Sequence, residues 1–225
     1  MIESLNILFP EIFLSISILF LLLLGVFIKD SYNLITKLSL LALASTMFII
    51  LKEDNVLIKI FSDSFVRNSF TNFIKILIIV SSIFIINSSQ IYIKDQKIAK
   101  FEYPIIILLS ILGMFFMVSS NDIILFYLGL ELQSLSLYIL AAIDRDNIRS
   151  TESGIKYFIL SALSSGLLLY GCSLLYGFTG STNFDVIATE LNSENTGAIF
   201  AMVFVLVGLA FKISAVPFHM WTPDV

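Results

Sequence analysis

The amino-acid sequence predicts an all-α protein, a polytopic bundle of transmembrane helices with about seven spans. Hydrophobic residues make up 58% of the chain and charged residues only 13%, whereas soluble domains carry about 25% charged residues. The mean hydropathy is +0.97. Apolar runs of about 20 residues recur along the chain, and this is the length that spans the hydrocarbon core of a bilayer. With a net charge of −4 and no basic stretch, the composition excludes nucleic acid as a partner and favours lipid.

The apolar runs define seven predicted segments joined by mostly short loops. Pro10 falls in the first turns of segment one and Pro104 opens segment four, where a missing backbone N–H is tolerated. The longer, partly apolar loop 52–71 is expected either to form a short interfacial helix or to pack on the bundle. The segments are residues 5–28, 34–51, 72–93, 103–119, 122–143, 153–177 and 197–216.

The loop charges predict that the N-terminus lies outside. Loops on the inner side of a membrane are enriched in lysine and arginine, and the loops after segments four and six contain neither residue. The loop after segment two weakens the pattern with Lys52, Lys59 and Arg67. The loops assigned to the inside contain Lys29, Lys37, Lys94, Lys97, Lys100, Arg145 and Arg149.

Segment five carries a glutamate close to its middle. Glu131 lies roughly 14 Å along the helix at 1.5 Å per residue. Tyr127, Glu131, Ser134 and Tyr138 recur at spacings of four, three and four, which places them in one polar stripe. A charged side chain at this depth is costly and is more often functional than incidental. We therefore expect the stripe to face the interior of the bundle.

Segment six supplies a candidate partner for Glu131. Lys156 lies about one turn into this segment, and the small residues Ser161, Ser164 and Ser165 would let it approach segment five closely. An opposite charge and desolvation change the proton affinity of a carboxylate in opposite directions. A change in the geometry of a Glu131–Lys156 pair would therefore switch proton binding, as a proton relay requires. The alternative is that Lys156 extends its ammonium group to the membrane interface.

Segment seven combines a lysine with a predicted helix break. Lys212 stands in an apolar run, with Pro217 five residues and His219 seven residues further on. Transporters build ion paths near the midplane from buried charges and broken helices. Histidine is the side chain that ordinarily titrates nearest neutral pH, so His219 is a further candidate, with a plain interfacial histidine as the alternative.

The remaining polar, aromatic and thiol side chains of note are expected to have structural rather than functional roles. Glu11 is expected at the interface, Trp221 as an interfacial anchor, and Cys172 as a small buried side chain. The sequence contains no glycine-rich phosphate loop, CxxC motif or histidine cluster. We therefore expect no cofactor, no metal and no redox chemistry in this chain. For Glu131 and Lys212, a purely structural ion pair remains the alternative to transport.

Three motifs resemble subunit N of respiratory complex I, the proton-pumping NADH–quinone oxidoreductase, and its mitochondrial counterpart, NADH dehydrogenase subunit 2. They are LFYLGLELQSLSLYILAA around Glu131, ESGIKYFILSALSSGLLLYG around Lys156 and GLAFKISAVPFHMWTPDV around Lys212. Together they cover most of residues 121–225. The first 120 residues match the family mainly in hydropathy.

The resemblance implies the first part of an antiporter-like fold built from two inverted repeats, each with a discontinuous helix. Residues 1–102 would form three N-terminal helices, and residues 103–225 would begin the first repeat, with helix seven as its broken helix. Only the N-terminal half of the family's sequence would be represented. The acidic residue of helix five would be Glu131, the lysine of helix six Lys156 and the central lysine Lys212.

The family's function would make this chain a membrane subunit of a translocase. Protons would move through the buried glutamate and lysines, driven by quinone reduction in other subunits, which also bind NADH, FMN and the iron–sulfur clusters. The partners would be other membrane subunits of complex I, in a bacterial plasma membrane or a mitochondrial inner membrane. Two alternatives stay open: a subunit of a cation/proton antiporter, and a truncated fragment that assembles without pumping.

Overall fold

The protein is described from a computed structural model that covers residues 2–28, 31–53, 56–191 and 196–225. In these residues six helices are long and apolar enough to cross a membrane, and a seventh apolar helix is 17 residues long. Each predicted segment corresponds to one of these helices, so the prediction of an all-α bundle with about seven spans is confirmed. Lys29, one of the predicted inside loop charges, lies outside the described residues.

The N-terminal part of the bundle consists of three long helices. A short helix, α1 (Ile2–Ile7), precedes α2 (Phe9–Phe27), which has Pro10 in its first turn as predicted. Helix α3 spans Tyr32–Leu51 and α4 spans Ser69–Asp95. Asn68 caps α4, because its side chain accepts a hydrogen bond from the Thr71 amide while the Thr71 hydroxyl accepts one from the Asn68 amide.

The loop between α3 and α4 forms a β-hairpin, so the predicted interfacial helix is wrong and the packed alternative is confirmed. Strand β1 (Ile58–Ile60) pairs antiparallel with β2 (Phe65–Arg67), with Ile58 opposite Arg67. Phe65 is buried at one end of β2. Its backbone also bridges to Ser120, beyond the end of the following transmembrane helix. Burial alternates along both strands, with Lys59 and Val66 more exposed than their neighbours, as is typical of a pleated strand.

The C-terminal part contains the helices that carry the predicted site. Helix α5 (Glu102–Ser119) is followed by α6 (Ile123–Ala141) and by α7 (Ile148–Thr179), which at 32 residues exceeds the length needed to cross a bilayer. A short helix, α8 (Phe184–Glu190), precedes α9 (Thr196–Lys212). The described core falls into two apolar clusters, one formed by α2 to α5 and one centred on α6, α7 and α9.

Helices α5 and α6 approach closely enough that glycine is required at the contact. A Cβ atom on Gly129 would lie 2.8 Å from the backbone nitrogen of Met117, and one on Gly113 would lie 2.6 Å from that of Gln133. These two glycines allow the close contact between α5 and α6. The polar stripe of α6 makes its hydrogen bonds with α7 and α9 instead. The division into residues 1–102 and 103–225 stays a prediction.

Candidate functional site

The polar stripe of α6 faces the interior of the bundle, as predicted. Asp122 caps the start of the helix by accepting hydrogen bonds from the Ile124 and Leu125 amides. From there the regular helix carries Glu131, Ser134 and Tyr138 onto one face, where all three contact a single lysine side chain. The 3.6-residue period therefore suffices to align these groups, and the neighbouring helices supply the partner.

Lys212 is the partner that the stripe shares. Its Nζ donates to Glu131 Oε1 at 3.2 Å, to Ser134 Oγ at 3.0 Å and to Tyr138 Oη at 3.0 Å. An ammonium group has three protons, so the three acceptors match its hydrogen-bonding capacity. The side chain of Lys212 is 10% exposed and that of Glu131 is 20% exposed.

Lys212 is the last residue of α9, and the helix ends there in a hydrogen-bonded backbone cap. The Ser214 amide donates to the Phe211 carbonyl, and the Ala215 amide donates to that of Ala210. Ser214 has a left-handed backbone with φ of 55°. These are the features of a Schellman motif. The predicted end at residue 216 is therefore wrong, since the backbone leaves the helix before Pro217, while the predicted break itself is present.

The hydrogen bonds continue from Glu131 into α7. Ser165 Oγ donates to Glu131 Oε1 at 2.6 Å, and the Tyr127 hydroxyl lies 3.0 Å from Ser165 Oγ. Because the single hydroxyl proton of Ser165 is directed to Glu131, Tyr127 is the donor in the second contact. A continuous chain of hydrogen-bonded groups thus runs from Tyr127 through Ser165, Glu131 and Lys212 to Tyr138.

Lys156 does not pair with Glu131, and this prediction is wrong. Its Nζ contacts Glu152 on the same helix at 2.8 Å, and the two side chains are 42% and 58% exposed. Helix α7 starts at Ile148 rather than at 153, so Lys156 lies more than two turns into it. Nine residues separate it from Ser165, the residue of α7 that contacts Glu131, which is roughly 13 Å along a helix.

His219 and Trp221 have different surroundings after the end of α9. His219 is exposed. Trp221 is only 8% exposed, stacks on Tyr157 with ring centroids 4.5 Å apart, and donates from Nε1 to the Phe211 carbonyl at 3.3 Å. Tyr157 in turn packs edge-on against Tyr138 at 4.7 Å. The predicted interfacial anchor is therefore a packed residue beside the Lys212 site.

A second buried ion pair was missed by sequence reasoning. Glu11 on α2 accepts from Lys75 on α4, with Oε1 and Nζ 2.6 Å apart and the side chains 1% and 2% exposed. The rings of Phe65 and Phe115 lie 5.3 and 5.8 Å from Lys75 Nζ. The interfacial role predicted for Glu11 is wrong. The signal for this pair was a lysine inside the apolar run FIKILIIV, since such a charge needs a partner.

Metal-binding and redox groups do not cluster in the part of the chain that the structure describes. These residues contain no group of three or more His, Cys, Asp and Glu side chains able to hold a metal ion. Cys172 is a free thiol, buried in α7. The chemistry that the described site supports is transfer of protons between carboxylate, ammonium and hydroxyl groups.

Comparison with known proteins agrees with this geometry. The family model described as "NADH:quinone oxidoreductase/Mrp antiporter, TM" matches residues 120–225, which contain all of α6, α7 and α9. NADH-quinone oxidoreductase subunit N of Pelagibacter ubique is 56% identical over 224 residues, covering 99% of this chain and 48% of that protein. The chain is similar to NADH-quinone oxidoreductase subunit N over nearly its whole length.

A second relative and a solved structure show the same relation. The protein of Parvibaculum lavamentivorans is 54% identical over 220 residues, covering 96% of this chain and 45% of the relative. A chain in the structure of respiratory complex I from Thermus thermophilus with bound aureothin superimposes with a TM-score of 0.79 at 28% identity, over 96% of this chain and 46% of that one.

The likeness places this chain in a membrane. The chain spans about half the length of the curated relatives it matches. Its apolar helices and its similarity to subunit N make it a multi-pass integral membrane protein.

Proposed function

We propose that this chain is a proton-translocating part of the membrane arm of an NADH–quinone oxidoreductase, a translocase. The observation that carries the proposal is the sharing of the Lys212 ammonium group among a carboxylate and two hydroxyls inside a membrane bundle. An ammonium group with several acceptors can lose its contact with one of them while it keeps its hydrogen bonds to the others. It can therefore take part in proton transfer without becoming unpaired.

The proton path that we propose follows the hydrogen-bonded chain. A proton reaches Glu131 through the hydroxyls of Tyr127 and Ser165, and Lys212 passes one on toward Tyr138 when its contact with Glu131 is broken. Each step moves a proton between two groups already within hydrogen-bonding distance. An electrostatic change elsewhere in the complex, arising from quinone reduction, would shift the Glu131–Lys212 contact and so drive the transfer.

Lys156 and His219 are assigned to the outer ends of this path. Both are exposed to a greater degree than Lys212, and neither donates to the Glu131 carboxylate in the described contacts. A titratable side chain at such a position can exchange protons with water or with a neighbouring subunit. We propose them as proton-transfer residues of lesser effect than Glu131 and Lys212.

The assembly that we propose provides the electron-transfer parts in other subunits. NADH, FMN, iron–sulfur clusters and quinone would bind there, and this chain would contribute no cofactor ligand. Its partners would be the neighbouring membrane subunits and the lipid bilayer. We place the protein in a bacterial inner membrane with the N-terminus outside, because its curated relatives are bacterial and because of the loop charges given above.

The test uses the full-length protein in the intact complex with Glu131→Gln or Lys212→Met. We expect each change to reduce the number of protons moved per NADH oxidised, while a native gel shows a normal amount of assembled, NADH-oxidising complex. Glu190→Gln, which alters an exposed acid on α8, is the matched control and should leave pumping unchanged.

Three outcomes separate the alternatives. Normal pumping with Glu131→Gln or Lys212→Met would mean that the buried charges only hold the helices together. Sodium-dependent proton movement without NADH oxidation would favour the cation/proton antiporter. Migration of the protein away from the NADH-oxidising band would mean that it does not belong to such a complex.

A further inference from the structure

The buried Glu11–Lys75 pair lies among polar atoms that have no hydrogen-bond partner. Glu11 Oε1 accepts from Lys75, but Glu11 Oε2 is unpaired within the described part of the chain. The same holds for both side-chain polar atoms of Asn72 and for Ser119 Oγ. All of these side chains are more than nine-tenths buried.

These unpaired groups flank the ion pair. Asn72 precedes Lys75 by three residues on α4 and therefore shares its face. Ser119 follows Phe115 by one turn on α5, and the Phe115 ring is 5.8 Å from Lys75 Nζ. The β-hairpin lies on another side of the ion pair. The Phe65 ring is 5.3 Å from Lys75 Nζ, and the Phe65 backbone forms a bridge to Ser120, the residue after Ser119.

A further ion pair, Glu53–Arg67, lies at the β-hairpin. Arg67 Nη1 lies 3.1 Å from Glu53 Oε1, both side chains are 10% exposed, and Arg67 Nε is also unpaired among the described residues. Burial raises the pKa of Glu53, with Arg67 and Lys75 acting to lower it and Glu11 to raise it. Arg67 follows Phe65 by two residues on β2 and both side chains are buried, so the Glu53–Arg67 pair lies on the same face of the hairpin as the Phe65 ring.

Buried polar groups in proteins are nearly always hydrogen-bonded, to protein or to ordered water. Hydrocarbon tails offer neither donors nor acceptors, so lipid cannot satisfy the unpaired groups. A buried water is held by two to four polar partners, and this cluster offers carboxylate, amide and hydroxyl groups together. A metal cation is disfavoured because the positively charged ammonium group of Lys75 already lies 2.6 Å from the Glu11 carboxylate.

We propose that Glu11, Asn72, Lys75 and Ser119 form a binding site for ordered water, which extends into the bundle from the Glu53–Arg67 pair on the hairpin side. The water completes the hydrogen bonds of the ion pair and makes this end of α2, α4 and α5 a hydrated region of the membrane domain. The site shares no side chain with the Lys212 network, so this inference does not depend on the proposed function.

The experiment is radiolytic hydroxyl-radical labelling of the intact complex in lipid nanodiscs, read residue by residue by mass spectrometry. Radicals formed from bound water modify the nearest reactive side chains, here the rings of Phe65 and Phe115, which bulk water does not reach. We expect both rings to be labelled well above the buried residues Leu14 and Ile79, whose side chains belong to the apolar core.

Two variants remove the water site in different ways. Asn72→Leu with Ser119→Ala leaves the ion pair but removes water ligands, and Glu11→Met with Lys75→Met removes the charges. Each should reduce labelling of Phe65 and Phe115 to background, while the buried residues Leu14 and Ile79 stay at background, which shows that the fold is kept. Ser82→Ala is the matched control, because this buried serine donates within its own helix to Ile78.

The result that overturns the proposal is labelling of Phe65 and Phe115 at background in the unaltered protein. Equal labelling in the unaltered protein and in the Asn72→Leu, Ser119→Ala variant would also overturn it. Because the latter variant retains both charges, it decides the question even where the charge-free variant fails to assemble.

Discussion

Two of the ion pairs in the described part of the chain, Glu11–Lys75 and Glu131–Lys212, differ in how firmly they hold their charges. Glu11 and Lys75 are 1% and 2% exposed, and Oε1 and Nζ lie 2.6 Å apart between two aromatic rings. Glu131 and Lys212 are 20% and 10% exposed and lie 3.2 Å apart, with two hydroxyls as further acceptors for the ammonium group.

We call Glu11–Lys75 the fixed pair and Glu131–Lys212 the adjustable pair, because only the second has further acceptors for its ammonium group. Among the described protein groups, Lys75 donates to one carboxylate and lies near two aromatic rings, so loss of that contact leaves its charge without a protein partner. Lys212 can lengthen its contact with Glu131 while it still donates to Ser134 and Tyr138. A pair that is to change its geometry during proton transfer needs this second arrangement, and a pair that ties helices together does not.

The largest expected effect follows from breaking the fixed pair. Lys75→Met leaves Glu11 charged and buried without its partner, which should lower the free energy of unfolding by about 3–5 kcal/mol. Lys212→Met should lower it less, because Glu131 keeps the Ser165 hydrogen bond. Thermal unfolding of the purified variants measures both, and equal losses would contradict the distinction between the two pairs.

Removing both members of a pair sharpens the comparison. Glu11→Leu combined with Lys75→Met should recover most of the stability lost in Lys75→Met, since an apolar pair of similar volume often replaces a buried ion pair at little cost. The corresponding change, Glu131→Leu with Lys212→Met, should not restore proton translocation. Recovery of pumping in that variant would show that the adjustable pair has only a structural role.

The smallest expected effect concerns one hydroxyl of the adjustable pair. Tyr138→Phe removes one acceptor of the Lys212 ammonium group and should cost about 1 kcal/mol in the free energy of unfolding. We expect proton translocation to fall, but by less than with Glu131→Gln. Tyr157→Phe is the control, because the Tyr157 ring packs against Tyr138 and the described hydrogen bonds of Lys212 do not include it. A larger loss with Tyr157→Phe would argue against a role for the Tyr138 hydroxyl.

The sequence predicted the polar stripe of α6 because helical periodicity is a local property. Glu131, Ser134 and Tyr138 share a face in any α-helix, and their apolar surroundings require that face to turn inward. The position of Lys212 before a helix break was likewise visible in the sequence. The partner of Glu131 was not, since Lys156 and Lys212 are both lysines on apolar helices and only the arrangement of α6, α7 and α9 distinguishes them.

The missed pair illustrates the same limit. Glu11 lies near the start of its segment and Lys75 near the start of another, and each position permits contact with the interface. Which of these ends is covered depends on the hairpin that precedes α4. The hairpin places the Phe65 ring over the Lys75 ammonium group. The sequence of α2 alone does not indicate that this end of the helix is covered.

By itself the sequence determined the helices, their approximate ends, the membrane as their solvent and the face of α6 that carries the charge. These follow from hydrophobic length and from period, which each segment contains within itself. Only the tertiary structure decided which charges meet between helices: Lys212 with Glu131 and Lys75 with Glu11. The reason is physical, since ion pairing depends on distances of a few ångströms between different helices, and those distances are set by close contacts such as that of Gly113 with Gly129.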